Sequence, residues 1–103
     1  MIYHIVSSDY WSAFDGVAEY VSETLEAEKF IHCSRREQIT GVLERFFAGV
    51  PNLVVLQIDE TKLTSPLLYE AVSDSDETFP HIYGPIHREA IVEAISVADF
   101  LKP

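Results

Sequence analysis

Residues 30–50 read FIHCSRREQITGVLERFFAGV, and the fold turns on where strand gives way to helix inside them. Phe30-Ile31-His32-Cys33 is a run of β-formers. Ser34, with Glu37 three residues on, matches a capping box, in which the Ser hydroxyl accepts a backbone N–H and the Glu reaches back. Ile39, Val42, Leu43, Phe46, Phe47 and Val50 then recur at helical spacing, and Gly49 with Pro51 stops the run. The stretch therefore predicts a strand over 30–33 and one main helix over about 34–49. Gly41 inside that helix costs about 1 kcal/mol against alanine, which the apolar stripe can offset.

Toward the N-terminus, Ile2–Val6 is a short strand. Ser7-Ser8-Asp9 offers caps for a short helix through Tyr10–Phe14, ended by Asp15-Gly16. Residues 17–27 stay open between a helix presenting Val17, Tyr20, Val21 and Leu25 and a strand with a loop. Toward the C-terminus, NLVVLQID (52–59) is a strand, 61–66 a connector and 67–72 another strand. SDSDET (73–78) reads as a solvated acidic loop, FPHIYGP (79–85) as an extended piece, and AIVEAISVA (90–98) as a closing strand. Several strands with one or two helices define an α+β class. The 103 residues show no repeat or linker, which fits one domain over 1–103.

Seventeen Asp and Glu face seven Lys and Arg, a formal net charge of −10. Such a surface repels phosphate backbones and anionic lipids. Arg35-Arg36 is the only adjacent basic pair, so nucleic acid is not the expected partner; a small ligand or a protein is. No apolar run reaches the roughly 18 residues of a membrane span. The N-terminus lacks a basic signal-peptide region, and one cysteine excludes an internal disulfide, so the expected location is cytoplasmic.

Of the four histidines, His4 and His32 interrupt strands that are otherwise apolar or aromatic, His81 lies in the PHIYGP turn, and His87 is expected to be exposed. A buried imidazole without a partner costs about 1–3 kcal/mol, so His4 and His32 are either hydrogen-bonded core residues or the lining of a site. Alternation puts Phe30 and His32 on one strand face and Ile31 and Cys33 on the other. His32 then cannot serve as base to Cys33, which reads as core. A helix starting at Ser34 would present free N–H groups to an anion, with Arg35 and Arg36 in its first turn either assisting or pointing into water. A zinc site from His4, His32, Cys33 and His81 lacks ligand spacing. Glu70 could face a pocket as an acid or ribose binder, and Trp11 and Tyr83 could stack on a planar ligand or fill the core.

IYHIV, KFIHCSRREQ, LVVLQID, LLYEA and FPHIYGPI, in this order, resemble the bacterial domain-of-unknown-function 952 family over nearly the whole chain. The resemblance implies a fold similar to ADP-ribosyltransferases: small, split antiparallel sheets around an NAD cleft, with one main helix. It implies that His4 contacts the nicotinamide-side ribose and that His32 takes the second catalytic position. Ile82 or Tyr83 falls at the third position, and Tyr83 completes the catalytic set. Tyr3, Trp11, Ser34, Arg35, Glu70 and His81 would hold the NAD. Ile5 stands where such enzymes have a small Gly, and no glutamate stands at the third position. Three functions follow as expectations: an enzyme transferring or hydrolysing ADP-ribose, a nucleotide- or anion-binding module without turnover, and an acidic protein-interaction domain.

Overall fold

The computed structural model describes residues 1–72 and 76–102. In chain order the elements are β1 (Ile2–Ser7), α1 (Ser8–Ser12), β2 (Glu19–Tyr20), α2 (Leu25–Glu28), β3 (Ile31–His32), α3 (Ile39–Phe46), β4 (Leu53–Ile58), β5 (Leu67–Ala71), β6 (Thr78–Ile82), β7 (Ile86–His87), β8 (Ile91–Ser96) and α4 (Val97–Phe100). Single 3-10 turns cover Arg36–Gln38, Glu60–Lys62 and Arg88–Ala90. The strands form two three-stranded sheets, ordered β1-β4-β8 and β3-β6-β5, and a two-stranded ladder β2-β7, all antiparallel. The mixed α+β class holds.

Strand β1 joins the two larger sheets. One edge pairs with β4; on the other, Tyr3 N–H donates to Ser34 O (2.9 Å) and Ser34 N–H to Tyr3 O (2.7 Å). Its alternate side chains enter different cores. Ile2 and Val6 pack with Tyr20, Ile31, Leu56 and Ile82; Tyr3 and Ile5 pack with Ile39, Val55 and Phe100 beneath α3 and α4. Cover on both faces is why the strand reads as a nearly unbroken apolar run. Ile31, Ile39, Ile58, Ile82 and Ile86 are each 0% exposed, and burying each contributes about 1.5–3 kcal/mol.

The main helix differs from its expected form. Ser34 does not cap it, because both backbone groups of Ser34 are spent on Tyr3. Arg35 remains extended, and Gln38 supplies the start: its Oε1 accepts from Arg35 N–H (2.8 Å) while its own N–H donates to Arg35 O (3.0 Å). The α-helix proper is therefore Ile39–Phe46, shorter than 34–49. Residues 17–27 resolve into β2 and α2. The closing strand stops at Ser96, whose Oγ accepts from Asp99 N–H and caps the unexpected α4. Residues 73–75 of the expected acidic loop lie outside the described residues.

Candidate functional site

Antiparallel register sets His81 opposite His32 on one side and opposite Leu68 on the other. Same-face positions recur every second residue, and diagonal neighbours across a ladder are within reach of long side chains. Phe30, His32, Leu68, Glu70, His81 and Tyr83 consequently share one face of β3-β6-β5. The side-chain geometry agrees. Phe30 stacks on His81 with ring centroids 4.0 Å apart, and His32 meets His81 edge-on at 5.4 Å. Phe30 also lies 5.4 Å from the Tyr83 ring.

Glu70 organises the inner part of this cluster. Its Oε1 lies 2.9 Å from His81 Nδ1 and accepts the Tyr83 hydroxyl at 2.5 Å. The Tyr83 bond, and then the His81 bond, hold the Glu70 carboxyl below its ordinary range, while the carboxylate raises the Tyr83 phenol. A carboxylate only accepts, so His81 Nδ1 carries a proton, and in the neutral ring the lone pair is on Nε2. The His81 side chain is 4% exposed, and Nε2 finds no hydrogen-bond partner among the described residues. A second imidazole–carboxylate pair lies further out: His32 Nε2 and Glu28 Oε2 are 2.9 Å apart, both side chains well exposed. The bond from His32 is the main cause that lowers the Glu28 carboxyl.

His4 is placed differently. Its ring is buried, with Nδ1 2.6 Å from the His32 carbonyl and Nε2 2.8 Å from the Tyr20 hydroxyl. The carbonyl must accept, so Nδ1 carries the proton and Tyr20 donates to Nε2. Both nitrogens of His4 are thus committed inside the protein, and its ring does not join that of His32 at one cleft. Tyr3 is core, edge-on to Phe100 at 5.3 Å. Trp11 packs 5.7 Å from the Tyr20 ring, with the Arg88 guanidinium 4.7 Å from its centroid. Ser34 is a buried link between sheets. Arg35 donates to Thr78 O (3.0 Å) and pairs with Glu37 (3.5 Å), and Arg36 lies over Phe100 at 4.5 Å. Without a helix start at Ser34, the expected anion site there is not formed.

The structure therefore gathers His32, Glu70, His81 and Tyr83 and leaves His4, Tyr3, Trp11, Ser34 and Arg35 elsewhere. Phe30 and Glu28 belong to the cluster without having been singled out, although the alternation of Phe30 with His32 pointed to the former. Cys33 is core, its thiol pushed up by burial. Among the described residues no group of three or more His, Cys, Asp and Glu side chains is arranged to hold a metal. An open depression of about 590 Å³ lies on the opposite core, between α3 and α4, lined mainly by apolar residues such as Leu43, Phe47, Val97 and Leu101. It contains none of the clustered groups.

The model of the family described as "Protein of unknown function (DUF952)" matches residues 5–94, and the chain belongs to that family. It is similar to the crystal structure of protein CC0527 from Caulobacter crescentus, at 31% identity and a TM-score of 0.81 over 92% of this chain and 83% of that one. The solution NMR structure of the same Caulobacter protein gives 32% identity and a TM-score of 0.74, over 90% and 80% of the two chains. No curated protein matches. Among the described residues no helix is long and apolar enough to cross a membrane.

Proposed function

We propose that the face carrying Phe30, His32, Glu70, His81 and Tyr83 binds a nucleotide of the ADP-ribose class, NAD among them, and that the chain transfers or hydrolyses its ADP-ribose part. One observation carries this reading: two imidazoles, a phenol and two carboxylates converge on one sheet face. That donor and acceptor set suits the hydroxyls of a ribose. An ionised Glu70 would stabilise the positive charge that develops at the anomeric carbon as a glycosidic bond breaks. The joining of two small antiparallel sheets at Tyr3 and Ser34 supports an arrangement like that of ADP-ribosyltransferases. In this version His32 and His81, rather than His4, meet the ribose.

The test is an NMR titration of labelled protein with NAD, ADP-ribose and AMP, with His32→Ala as control. Saturable shifts at His32, Glu70, His81 and Tyr83 are expected, those at Glu70, His81 and Tyr83 weakening in the variant, with nicotinamide release from NAD as the measure of turnover. Absence of shifts at millimolar ligand ends this reading. A binding module without turnover is the second reading. The two internal bonds of His4 favour it, since they leave the first-strand histidine nothing to offer a ligand. Saturable binding with no nicotinamide released would select it.

A further inference from the structure

We infer that His81 is the general base of this face, that Glu70 is its positioning residue, and that the Phe30 ring is a cover that must swing aside before a hydroxyl or water reaches His81 Nε2. The inference rests on the location of the site proposed above, but not on the ligand's being a nucleotide. Glu70 fixes the ring through Nδ1, and Tyr83 fixes Glu70 by bonding to the same oxygen. A carboxylate that holds an imidazole by one nitrogen directs the basic lone pair of the other. That lone pair is on a side chain 4% exposed, with no partner among the described residues. A buried polar atom left unpaired costs about 1–3 kcal/mol, so a ligand that supplies a donor recovers this energy.

Phe30 lies against the face of the ring that carries this nitrogen. Its ring stacks on His81 at 4.0 Å with 20° between the planes, yet Phe30 itself belongs to no helix or strand. It follows Lys29, which ends α2 with φ 73° in the left-handed region that a non-glycine residue adopts at some cost. Phe30 lies outside the β3 ladder, which pairs only Ile31 and His32, so its ring can turn about its own side-chain torsions without disturbing the β3 register.

A water or ligand hydroxyl donates its proton to Nε2, so an O–H bond breaks as an N–H bond forms. The oxygen's electron pair attacks the electrophilic atom of the substrate, whose bond to the leaving group breaks with the pair going to that group. The imidazolium is held against the Glu70 carboxylate. It then returns the proton to the leaving group, or to solvent where that group departs neutral. The substrate class is a compound cleaved at one bond by an oxygen nucleophile, and with water the outcome is hydrolysis.

Two measurements without any ligand test this. Long-range nitrogen–proton NMR of the imidazoles should find the His81 proton on Nδ1 in the wild type, and a mixture of tautomers in Glu70→Leu, an effect that a merely structural Glu70 would not produce. Diethyl pyrocarbonate, mapped by peptide mass spectrometry with exposed His32 as internal reference, should modify His81 slowly. Phe30→Ala should raise that rate at least about tenfold, because modification otherwise waits for local opening. Phe30→Leu, which keeps an apolar side chain, should give a smaller rise and serves if the alanine variant does not fold. A wild-type proton on Nε2, or a His81 rate indifferent to the Phe30 variants, overturns the inference. Added ADP-ribose should protect His81. If it does not while the other results stand, the nucleotide reading fails and the base remains.

Discussion

His4 shows what a polar ring costs inside an apolar strand and how that cost is met. Burial pushes its pKa down to about 4, with a smaller push from the charge of His32; the bond to the His32 carbonyl works in the other direction. The unfolded chain takes up the same proton near the ordinary value of 6.5. Between those values the unfolded state binds more protons than the folded one, so stability falls as pH falls. The loss over that window is about 3 kcal/mol at order of magnitude. Urea unfolding at about pH 7.5 and about pH 4.5 should show this drop, and His4→Gln should flatten the slope whatever its own stability. An unchanged midpoint in the wild type would mean that His4 is protonated in the folded protein. The same two bonds that make His4 tolerable in the core also occupy both of its nitrogens, whereas His81 has one nitrogen held by Glu70 and the other without a hydrogen-bond partner among the described residues.

At the scale of elements, Gln38 ties the main helix to the sheet that bears the site. It is 5% exposed; its Oε1 accepts from Arg35 N–H, and its Nε2 donates to Thr78 O (2.9 Å) and Glu77 Oε2 (3.0 Å). Gln38→Leu keeps the bulk but strands the Arg35 N–H in a part-buried setting, and should cost about 1–3 kcal/mol, read as a lower urea midpoint. The cap was not legible in the sequence, where Ser34 and Glu37 carry the stronger local signal. Tyr3, far away along the chain, takes the backbone of Ser34 first. Strands β1, β4 and β5 were legible because their apolar or β-branched runs are local properties. The site was legible in pieces: Phe30 alternates with His32, and His81 with Tyr83, within single segments. What remained hidden is that β6 lies between β3 and β5, since register between distant strands leaves no local trace. The two-residue strand β2 was hidden for the same reason, Tyr20 being fixed by its pairing with Ile86.

For the whole molecule, charge separates the readings that local geometry leaves open. The chain carries −10, two of its carboxylates, Glu28 and Glu70, lie at the proposed face, and the Arg35 guanidinium is occupied by Thr78 O and Glu37. ADP-ribose is an anion, so its approach is opposed by the protein's field, and salt relieves that opposition. The Debye length shortens from about 30 Å at 0.01 M salt to about 10 Å at 0.1 M, enough to hide most of the distant carboxylates from a ligand at the face. The affinity for ADP-ribose should therefore rise over this range and level off above it, where only neighbouring charges still act. A basic protein drawn to the acidic surface would behave oppositely, losing both affinity and association rate as salt is added. Calorimetric titration with ADP-ribose at the two salt concentrations reads the sign directly. An ADP-ribose affinity that falls with salt would mean that the ligand meets net positive charge, and would place the nucleotide away from the face that carries Glu28 and Glu70.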